Sequence, residues 1–267
     1  MRIVDGHTHM RAGASVPEVL KRMDTNGIDR MVVISPNERT SLDKTRENLL
    51  MAKEFCAAAP DRLTGLAWLE PTIPGIEELA REALADWDFA GIKIIPDHWY
   101  AYEERLEPFW EAVNELEARI LFHTGIIYDY EDGSRFNRPV YLEKLVNYPR
   151  IVFAMAHISW PWCEECLAVM GRFRAACGYK TEGWQSYIDI TPGSQGRLSR
   201  RAIADAVEMY GVDRMMFGTD NSIPGDMPWQ KQSLDRFLGI FDELGLDDAQ
   251  KQRILSGTAD ELFPARG

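Results

Sequence analysis

Short apolar runs rich in Val, Ile, Phe and Met recur along the chain, and segments with helical periodicity lie between them. Continuous apolar runs of this length are typical of strands that are buried on both faces, as in a parallel sheet. Eight runs fit this description, and they begin near Ile3, Arg30, Leu63, Phe89, Arg119, Arg150, Ser186 and Asp213. The pattern predicts eight strands that alternate with helices.

Eight such units in 267 residues fit a (β/α)₈ barrel, with a doubly wound open sheet as the alternative. The barrel is favoured by polar residues at the C-terminal ends of predicted strands one, five, six and eight. These residues are His7, His9, His123, His157 and Asp220. In a closed barrel those ends share one mouth, where active sites of this fold lie. Without a linker or internal repeat, we expect residues 1–267 to form a single barrel domain.

Composition and charge exclude several classes of function. A net charge of -12 argues against a nucleic-acid partner, because such binding depends on clustered Lys and Arg. No stretch approaches the ~20 apolar residues of a membrane span, and the first residues lack the features of a secretory signal. We therefore expect a soluble, cytoplasmic protein. Cys163 and Cys166 have metal-ligand spacing, but no second pair completes a set, so a packed helix face is the better interpretation.

His7 and His9 are the first indication of chemistry. Residues two apart in a strand point to the same side, roughly 7 Å apart along the chain. Two neutral imidazoles on one face can chelate a divalent ion, and a third histidine with a carboxylate would leave one position open for water. An open position is typical of a catalytic site. Zinc is favoured as the ion, with manganese, cobalt or iron as alternatives.

The chain also resembles the amidohydrolase superfamily, in the amidohydrolase-related group that includes aromatic and aminomuconate-type decarboxylases. The resemblance spans nearly the whole chain. The matching segments are Asp5-Gly-His7-Thr-His9, Gly91-Ile-Lys93-Ile, Phe122-His123-Thr-Gly125, Ala156-His157, Phe217-Gly-Thr-Asp220 and Ile254-Leu-Ser-Gly-Thr-Ala-Asp-Glu-Leu-Phe263.

The resemblance implies that His7, His9, His123 and Asp220 are metal ligands. It implies that His157 either binds a second ion or acts on substrate and water. General chemistry agrees, since a carboxylate such as Asp220 can accept a proton from metal-bound water and a histidine can pass a proton to a leaving group. Asp220 and His157 are therefore the predicted catalytic pair.

Lys93 is predicted to lie in a strand with its side chain on the same face as Gly91 and Ile95. A lysine there is costly unless it is paired or used. In binuclear members of the superfamily a carboxylated lysine bridges two ions, so Lys93 could do the same. We favour a single ion, with Lys93 as a charge in the pocket.

Other residues near the predicted mouth are candidates for a substrate pocket: His98, Trp99, Trp160, Arg135 and Arg138. Aromatic side chains suit a planar ligand, and arginine can bind a carboxylate through two hydrogen bonds. The tryptophans could instead cover the barrel or meet another subunit of a homo-oligomer. His98 and the arginines could be ordinary loop residues.

Three functions remain open on the sequence alone. The favoured one is a metal-dependent hydrolase that uses metal-bound water to cleave a C–N or C–O bond, as in an amide or lactone, of a small carboxylated or cyclic metabolite. The alternative is a non-oxidative, metal-dependent decarboxylase of a small aromatic or unsaturated carboxylic acid. A metal-binding protein without catalysis is the third, and a predicted proton-transfer pair beside the ligands argues against it.

Overall fold

The computed structural model describes residues 1–128, 131–192, 196–225 and 227–265. Nine parallel strands form one sheet in the order β8-β7-β6-β5-β4-β3-β2-β1-β9. The strands are β1 (Val4–Met10), β2 (Arg30–Ile34), β3 (Leu63–Trp68), β4 (Gly91–Ile94), β5 (Arg119–Phe122), β6 (Val152–Met155), β7 (Ser186–Asp189), β8 (Met215–Met216) and β9 (Asn221–Ile223). From β1 to β8, neighbouring strands follow one another in sequence, and β9 lies beside β1, so the described residues do not have the strand order of a doubly wound sheet.

The eighth predicted strand is divided into β8 and β9, with residues 217–220 between them. β8 pairs with β7, whereas β9 pairs with β1. The link between them also bonds to β1, because Gly6 N donates to Phe217 O at 3.0 Å and Asp220 N donates to His7 O at 2.8 Å. One short stretch of chain therefore connects the two ends of the sheet.

Helices lie between the strands. They are α1 (Val16–Asn26), α2 (Leu42–Ala57), α3 (Ile76–Arg81), α4 (Glu107–Glu115), α5 (Cys163–Ala176), α6 (Gly196–Tyr210), α7 (Met227–Glu243), α8 (Asp248–Gln252) and α9 (Thr258–Leu262). The described residues of the connection from β5 to β6 contain no α-helix and form 3₁₀ turns at Gly133–Phe136 and Pro139–Asn147. In the described part of the chain, no helix is long and apolar enough to cross a membrane.

The side chains along each strand alternate between two apolar layers. On β2, Met31 and Val33 pack in the larger cluster with the helices, whereas Val32 and Ile34 belong to a smaller cluster on the opposite face. The same alternation on β4 places Ile92 and Ile94 in the larger cluster and Ile95 in the smaller one. Side chains of a strand alternate between faces, so Lys93 lies on the face of the smaller cluster.

The cysteines support the packed-face interpretation. Cys166 is buried within the larger apolar cluster, and Cys163 packs against it on the same helix. Burial raises the pKa of the Cys166 thiol to about 12, which disfavours the thiolate that zinc requires.

Candidate metal-binding and catalytic site

His7 and His9 project together from the end of β1. Their Nε2 atoms lie 3.1 Å apart, and each is 3.2 Å from Asp220 Oδ1. His7 is fully buried, whereas His9 and Asp220 are half-buried. Strand alternation brings the histidines together, and the pairing of β9 with β1 brings Asp220 to them.

Asp220 is held by the link between β8 and β9. Its φ of 58° is in the left-handed region, which is uncommon for residues other than glycine. The link is fixed by the buried carboxylate of Asp5, which accepts hydrogen bonds from Thr219 N at 2.9 Å, Thr219 Oγ1 at 2.6 Å and Gln230 Nε2 at 2.7 Å. Burial raises the pKa of Asp5 to about 6. Asp5 thus keeps Asp220 in register with β1.

Gly218 allows this close approach. A Cβ atom there would lie 2.7 Å from Thr191 Cγ2 and 2.8 Å from His7 Cβ, closer than such atoms pack. A side chain at this position would push the link away from β1 and so separate Asp220 from the histidines.

The donor atoms of His7, His9 and Asp220 fit a divalent ion. They form a triangle with sides of 3.1 to 3.2 Å. Metal bonds of ~2.0 to 2.1 Å imply donor separations of roughly 3.3 Å in a tetrahedron and roughly 3.0 Å in an octahedron. The chemistry of the set, two imidazoles and a carboxylate, suits the divalent transition metals and zinc.

Asp189, at the end of β7, orients His7. Its Oδ2 lies 2.7 Å from His7 Nδ1, and both side chains are fully buried. The ionised carboxylate accepts a hydrogen bond from Nδ1–H of His7, so the Nε2 lone pair faces His9 and Asp220. Thr191 supports Asp189, donating from N at 2.8 Å and from Oγ1 at 3.1 Å. Burial raises the pKa of Asp189 to about 6.

Asp189 is a site residue that was not predicted from the sequence. The available signal was its position, since an aspartate ends the apolar run Ser186–Asp189 where other strands carry the predicted ligands. An aspartate at a strand end is common, so position alone did not separate it from a loop residue.

His157 follows β6 and points to Asp220. Its Nε2 lies 3.7 Å from Asp220 Oδ2, and its Nδ1 lies 2.8 Å from Thr191 Oγ1. His157, Ile158 and Ser159 have positive φ values of 61°, 45° and 54°. Such backbone conformations are costly and persist where the surroundings impose them, often at functional sites.

The turn after β6 is fixed by hydrogen bonds to β5. Thr124 Oγ1 donates to Ala156 O at 2.8 Å, and Ser159 Oγ donates to Thr124 Oγ1 at 2.8 Å. These bonds hold the ring of His157 against the rest of the cluster.

Burial sets the charges of the site. It lowers the pKa of His7 and His123 well below the ordinary value and that of His157 by less, so all three are neutral at neutral pH. Burial alone would raise the pKa of Asp220, but the adjacent His7 and the other histidines hold it well below its usual range. A carboxylate beside neutral imidazoles is the protonation state that metal binding requires.

Lys93 lies against His7. Its Nζ is 3.1 Å from His7 Nε2, and the side chain is fully buried. Burial lowers the pKa of Lys93 to about 8. Lys93 therefore belongs to the metal-ligand cluster, and it is not among the residues that line the cavity described below.

His123 lies beside the cluster and outside the triangle of donor atoms. Its ring centroid is 4.9 Å from that of His157, and its Nε2 is 3.3 Å from Ile126 O. The predicted ligand thus faces a loop carbonyl. As a fourth ligand, His123 stays a prediction that requires a change of its side-chain orientation.

A cavity of about 590 Å³ opens over these residues. Its lining includes His9, Arg11, Trp68, His123, His157, Trp160 and Asp220. Cavities of several hundred Å³ with apolar walls and a few polar groups are typical of small-molecule sites. Trp160, predicted as a pocket residue, lies in this lining.

The other predicted pocket residues lie elsewhere in the described part of the chain. His98 contacts Asp97 and Thr72, and Trp99 is buried in the core 6.4 Å from the ring of Trp110. Arg135 pairs with Asp132 at 3.0 Å and Arg138 pairs with Glu165, both at the surface. None of these four residues is among those that line the cavity, although Ile126 and Ile127 from the loop after β5 are, so a place in the loop after a strand does not by itself bring a side chain to the mouth.

The sequence profile of the family described as Amidohydrolase (Amidohydro_2) matches residues 4–265. The chain belongs to this amidohydrolase family. The match includes every strand, so the resemblance found in the motifs is confirmed at the level of the family.

Relatives of known activity are more distant. A γ-resorcylate decarboxylase from Rhodococcus jostii (strain RHA1) is 23% identical and is aligned over 91% of this chain and 86% of its own length. The 5-carboxyvanillate decarboxylase of Novosphingobium aromaticivorans DSM 12444, complexed with manganese and 4-hydroxy-3-methoxy-5-nitrobenzoic acid, has a TM-score of 0.68 at 18% identity. That match covers 92% of this chain and 79% of the other.

A probable 2-pyrone-4,6-dicarboxylic acid hydrolase from Acinetobacter baumannii, with citric acid bound, has the same TM-score of 0.68 at 15% identity and covers 98% of this chain and 99% of its own. At such identities the structures show a shared fold, and fold does not determine activity.

Proposed function

We propose that this protein is a metal-dependent decarboxylase that removes CO₂, without oxidation, from a small aromatic or unsaturated carboxylic acid. Its site would lie at the mouth of a (β/α)₈ barrel in which β8 and β9 together form the eighth strand. The observation that carries the proposal is that the γ-resorcylate decarboxylase of R. jostii aligns with 91% of this chain, over a site built from His7, His9 and Asp220. The decarboxylase, which was the alternative on the sequence alone, thus replaces the hydrolase as the favoured function.

His7, His9 and Asp220 would hold one divalent ion, with His123 as a fourth ligand. When bound, the ion supplies a Lewis acid for the substrate carboxylate and a neighbouring oxygen. The manganese complex of 5-carboxyvanillate decarboxylase makes manganese a candidate beside zinc. Lys93 touches the ligand His7, so a second ion bridged by a carboxylated Lys93 is the competing model.

Asp220 and His157 would manage the proton. In decarboxylation the bond between the ring carbon and the carboxylate breaks, CO₂ leaves and the ring carbon gains one proton. His157 Nε2 and Asp220 Oδ2 are 3.7 Å apart, so a proton that one of them takes up from solvent would be delivered to the ring carbon from one side of the substrate. Thr191 holds the other ring nitrogen of His157 and so fixes the direction of that transfer.

The cavity would select a planar substrate. Trp68 and Trp160 lie in its lining with Ile95 and Ile127, and Trp68 is 5.7 Å from the ring of His9. Flat apolar walls favour an aromatic ring, and they exclude water that would compete for the developing charge.

A hydrolase remains the second candidate because the A. baumannii protein shares the fold over 98% of this chain. In that reaction Asp220 would accept the proton of the attacking water and His157 would give a proton to the leaving oxygen. The same residues serve both reactions, so the product decides between them.

The test is product analysis. Protein loaded separately with manganese and with zinc is incubated with 2,6-dihydroxybenzoate, 5-carboxyvanillate and 2-pyrone-4,6-dicarboxylate, and released CO₂ and products are measured by mass spectrometry. We expect CO₂ from at least one aromatic acid, lost in Asp220→Asn and kept in the surface control Asp235→Asn. Opening of the pyrone without CO₂ release would overturn the proposal in favour of the hydrolase.

A further inference from the structure

Arg11 lies beyond the candidate metal ligands His7 and His9 along the direction of β1. It follows His7 and His9 at the same spacing of two residues, just after β1 ends at Met10. Its backbone continues the pairing with β9, since Arg11 N donates to Ile223 O at 3.1 Å. Arg11 is therefore the next residue in the series that faces the cavity, roughly 7 Å further along than His9.

Ser222, on the neighbouring strand, contacts the guanidinium of Arg11, which is exposed at the mouth of the cavity. Arg11 Nη2 donates to Ser222 Oγ at 3.0 Å, and both residues line the cavity. Ser222 is two residues beyond Asp220 and is the register partner of His9. The pair Arg11–Ser222 thus forms a second polar row above the row of His9 and Asp220.

Arg11 also supplies the positive charge of the mouth. Among the described residues that line the cavity, it is the only lysine or arginine. The arginines expected from the sequence to bind a carboxylate, Arg135 and Arg138, are paired with Asp132 and Glu165 outside the cavity. Lys93 lies against His7 at the position of the ion, so a second anionic group of the ligand, remote from the ion, would meet Arg11.

We propose that Arg11, positioned by Ser222, is an anion subsite that binds a second carboxylate of the substrate, at the end of the ring remote from the ion. The inference rests on the proposed function and narrows its substrate class from small aromatic or unsaturated carboxylic acids to aromatic dicarboxylates. Arg11 here determines specificity through its bidentate guanidinium and takes no part in the proton transfer.

The test measures binding without turnover. Calorimetry on the metal-loaded protein compares isophthalate, which has two carboxylates, with benzoate, which has one. The variants are Arg11→Gln, which removes the charge, Arg11→Lys, which keeps the charge without the planar fork, and Arg135→Gln as a control outside the cavity. Metal content of every variant is measured first.

We expect the wild type and Arg135→Gln to bind isophthalate at least tenfold more tightly than benzoate. Arg11→Gln should bring the two acids to within about twofold of each other while leaving benzoate affinity unchanged, and Arg11→Lys should be intermediate. An isophthalate preference that survives in Arg11→Gln would overturn the subsite, as would equal binding of both acids by the wild type. Binding of neither acid by metal-loaded wild type would overturn the proposed substrate class and the subsite with it.

Discussion

Among the residues that the structure describes, two clusters combine histidine with carboxylates at a spacing that could hold a metal ion: His7, His9 and Asp220, and Glu70, Asp97 and His98. In the first, the oriented histidine is backed by a buried carboxylate, and the cluster faces a cavity. In the second, His98 is half exposed, its Nδ1 contacts Asp97, and Asp97 also pairs with Arg39. The second cluster is thus satisfied by its own protein partners.

The two clusters have similar donor atoms at similar spacing, and they differ in how the histidine is oriented and in whether a cavity adjoins it. A site also needs a partner that fixes each ligand and an open position for substrate. Asp189 supplies the first of these for His7, and the cavity supplies the second. Substitutions in the two clusters should therefore have unequal effects.

The largest effect is expected from removing a ligand of the first cluster. His7→Ala should lose the metal and reduce activity more than 100-fold, because the remaining donors cannot chelate the ion. His98→Ala, the matched change in the second cluster, should keep both. Metal equivalents per chain are measured by elemental analysis. Metal loss in His98→Ala with retention in His7→Ala would reverse the assignment.

His157→Ala should separate activity from metal binding. We expect activity to fall about 100-fold or more, the scale of a lost acid–base group, with most of the metal retained. Elemental analysis and initial rates on the same preparation check this. If His157→Ala and His7→Ala lost equal amounts of metal, the single-ion assignment would be wrong and the second ion would need His157.

Asp189→Asn should weaken metal binding by about 10- to 100-fold, because the amide no longer favours the His7 tautomer with a free Nε2. Asp97→Asn, the corresponding change in the second cluster, should leave metal affinity within about twofold. Competition with a chelating dye gives both affinities. Equal affinities for Asp189→Asn and wild type would remove Asp189 from the site.

Asp5 gives a smaller effect that depends on pH. Its pKa is about 6 in the folded protein and near 3.8 when unfolded, so the folded state binds more protons between these values. Asp5 therefore lowers stability as pH rises from about 4 to 6, on the order of 3 kcal/mol once fully ionised. Relative to Asp5→Asn, metal-free wild type should become less stable across this range. Denaturant unfolding at several pH values measures the difference, and a constant difference would contradict it.

Much of the site followed from residues on regular strands. The spacing of His7 and His9 set their common direction, because strand geometry alone fixes it. The strand-end position of Asp220 predicted its place beside them, although the link between β8 and β9, fixed by Asp5, is what holds it there. Lys93 was predicted with Gly91 and Ile95 for the same reason, and it shares a face with Ile95 in the structure. The predictions for His7, His9 and Lys93 required no knowledge of loops.

Residues in loops, and residues that hold a candidate ligand through a hydrogen bond, were not predictable in the same way. The direction of Arg135 and Arg138 depends on the 3₁₀ turns after β5 and on ion pairs with Asp132 and Glu165. Asp189 and Arg11 acquire their roles from contacts between strands distant in sequence. The division of the last strand into β8 and β9 likewise depends on the hydrogen bonds of Asp5 to the link.

The most direct test is anomalous diffraction from crystals of the metal-loaded protein, recorded at the absorption edge of the ion. With a single ion at this site, we expect one peak, at bonding distance from His7 Nε2, His9 Nε2 and an oxygen of Asp220. A peak among Glu70, Asp97 and His98 with none at His7 would contradict the assignment of the site. Two peaks that flank Lys93 would contradict the single ion.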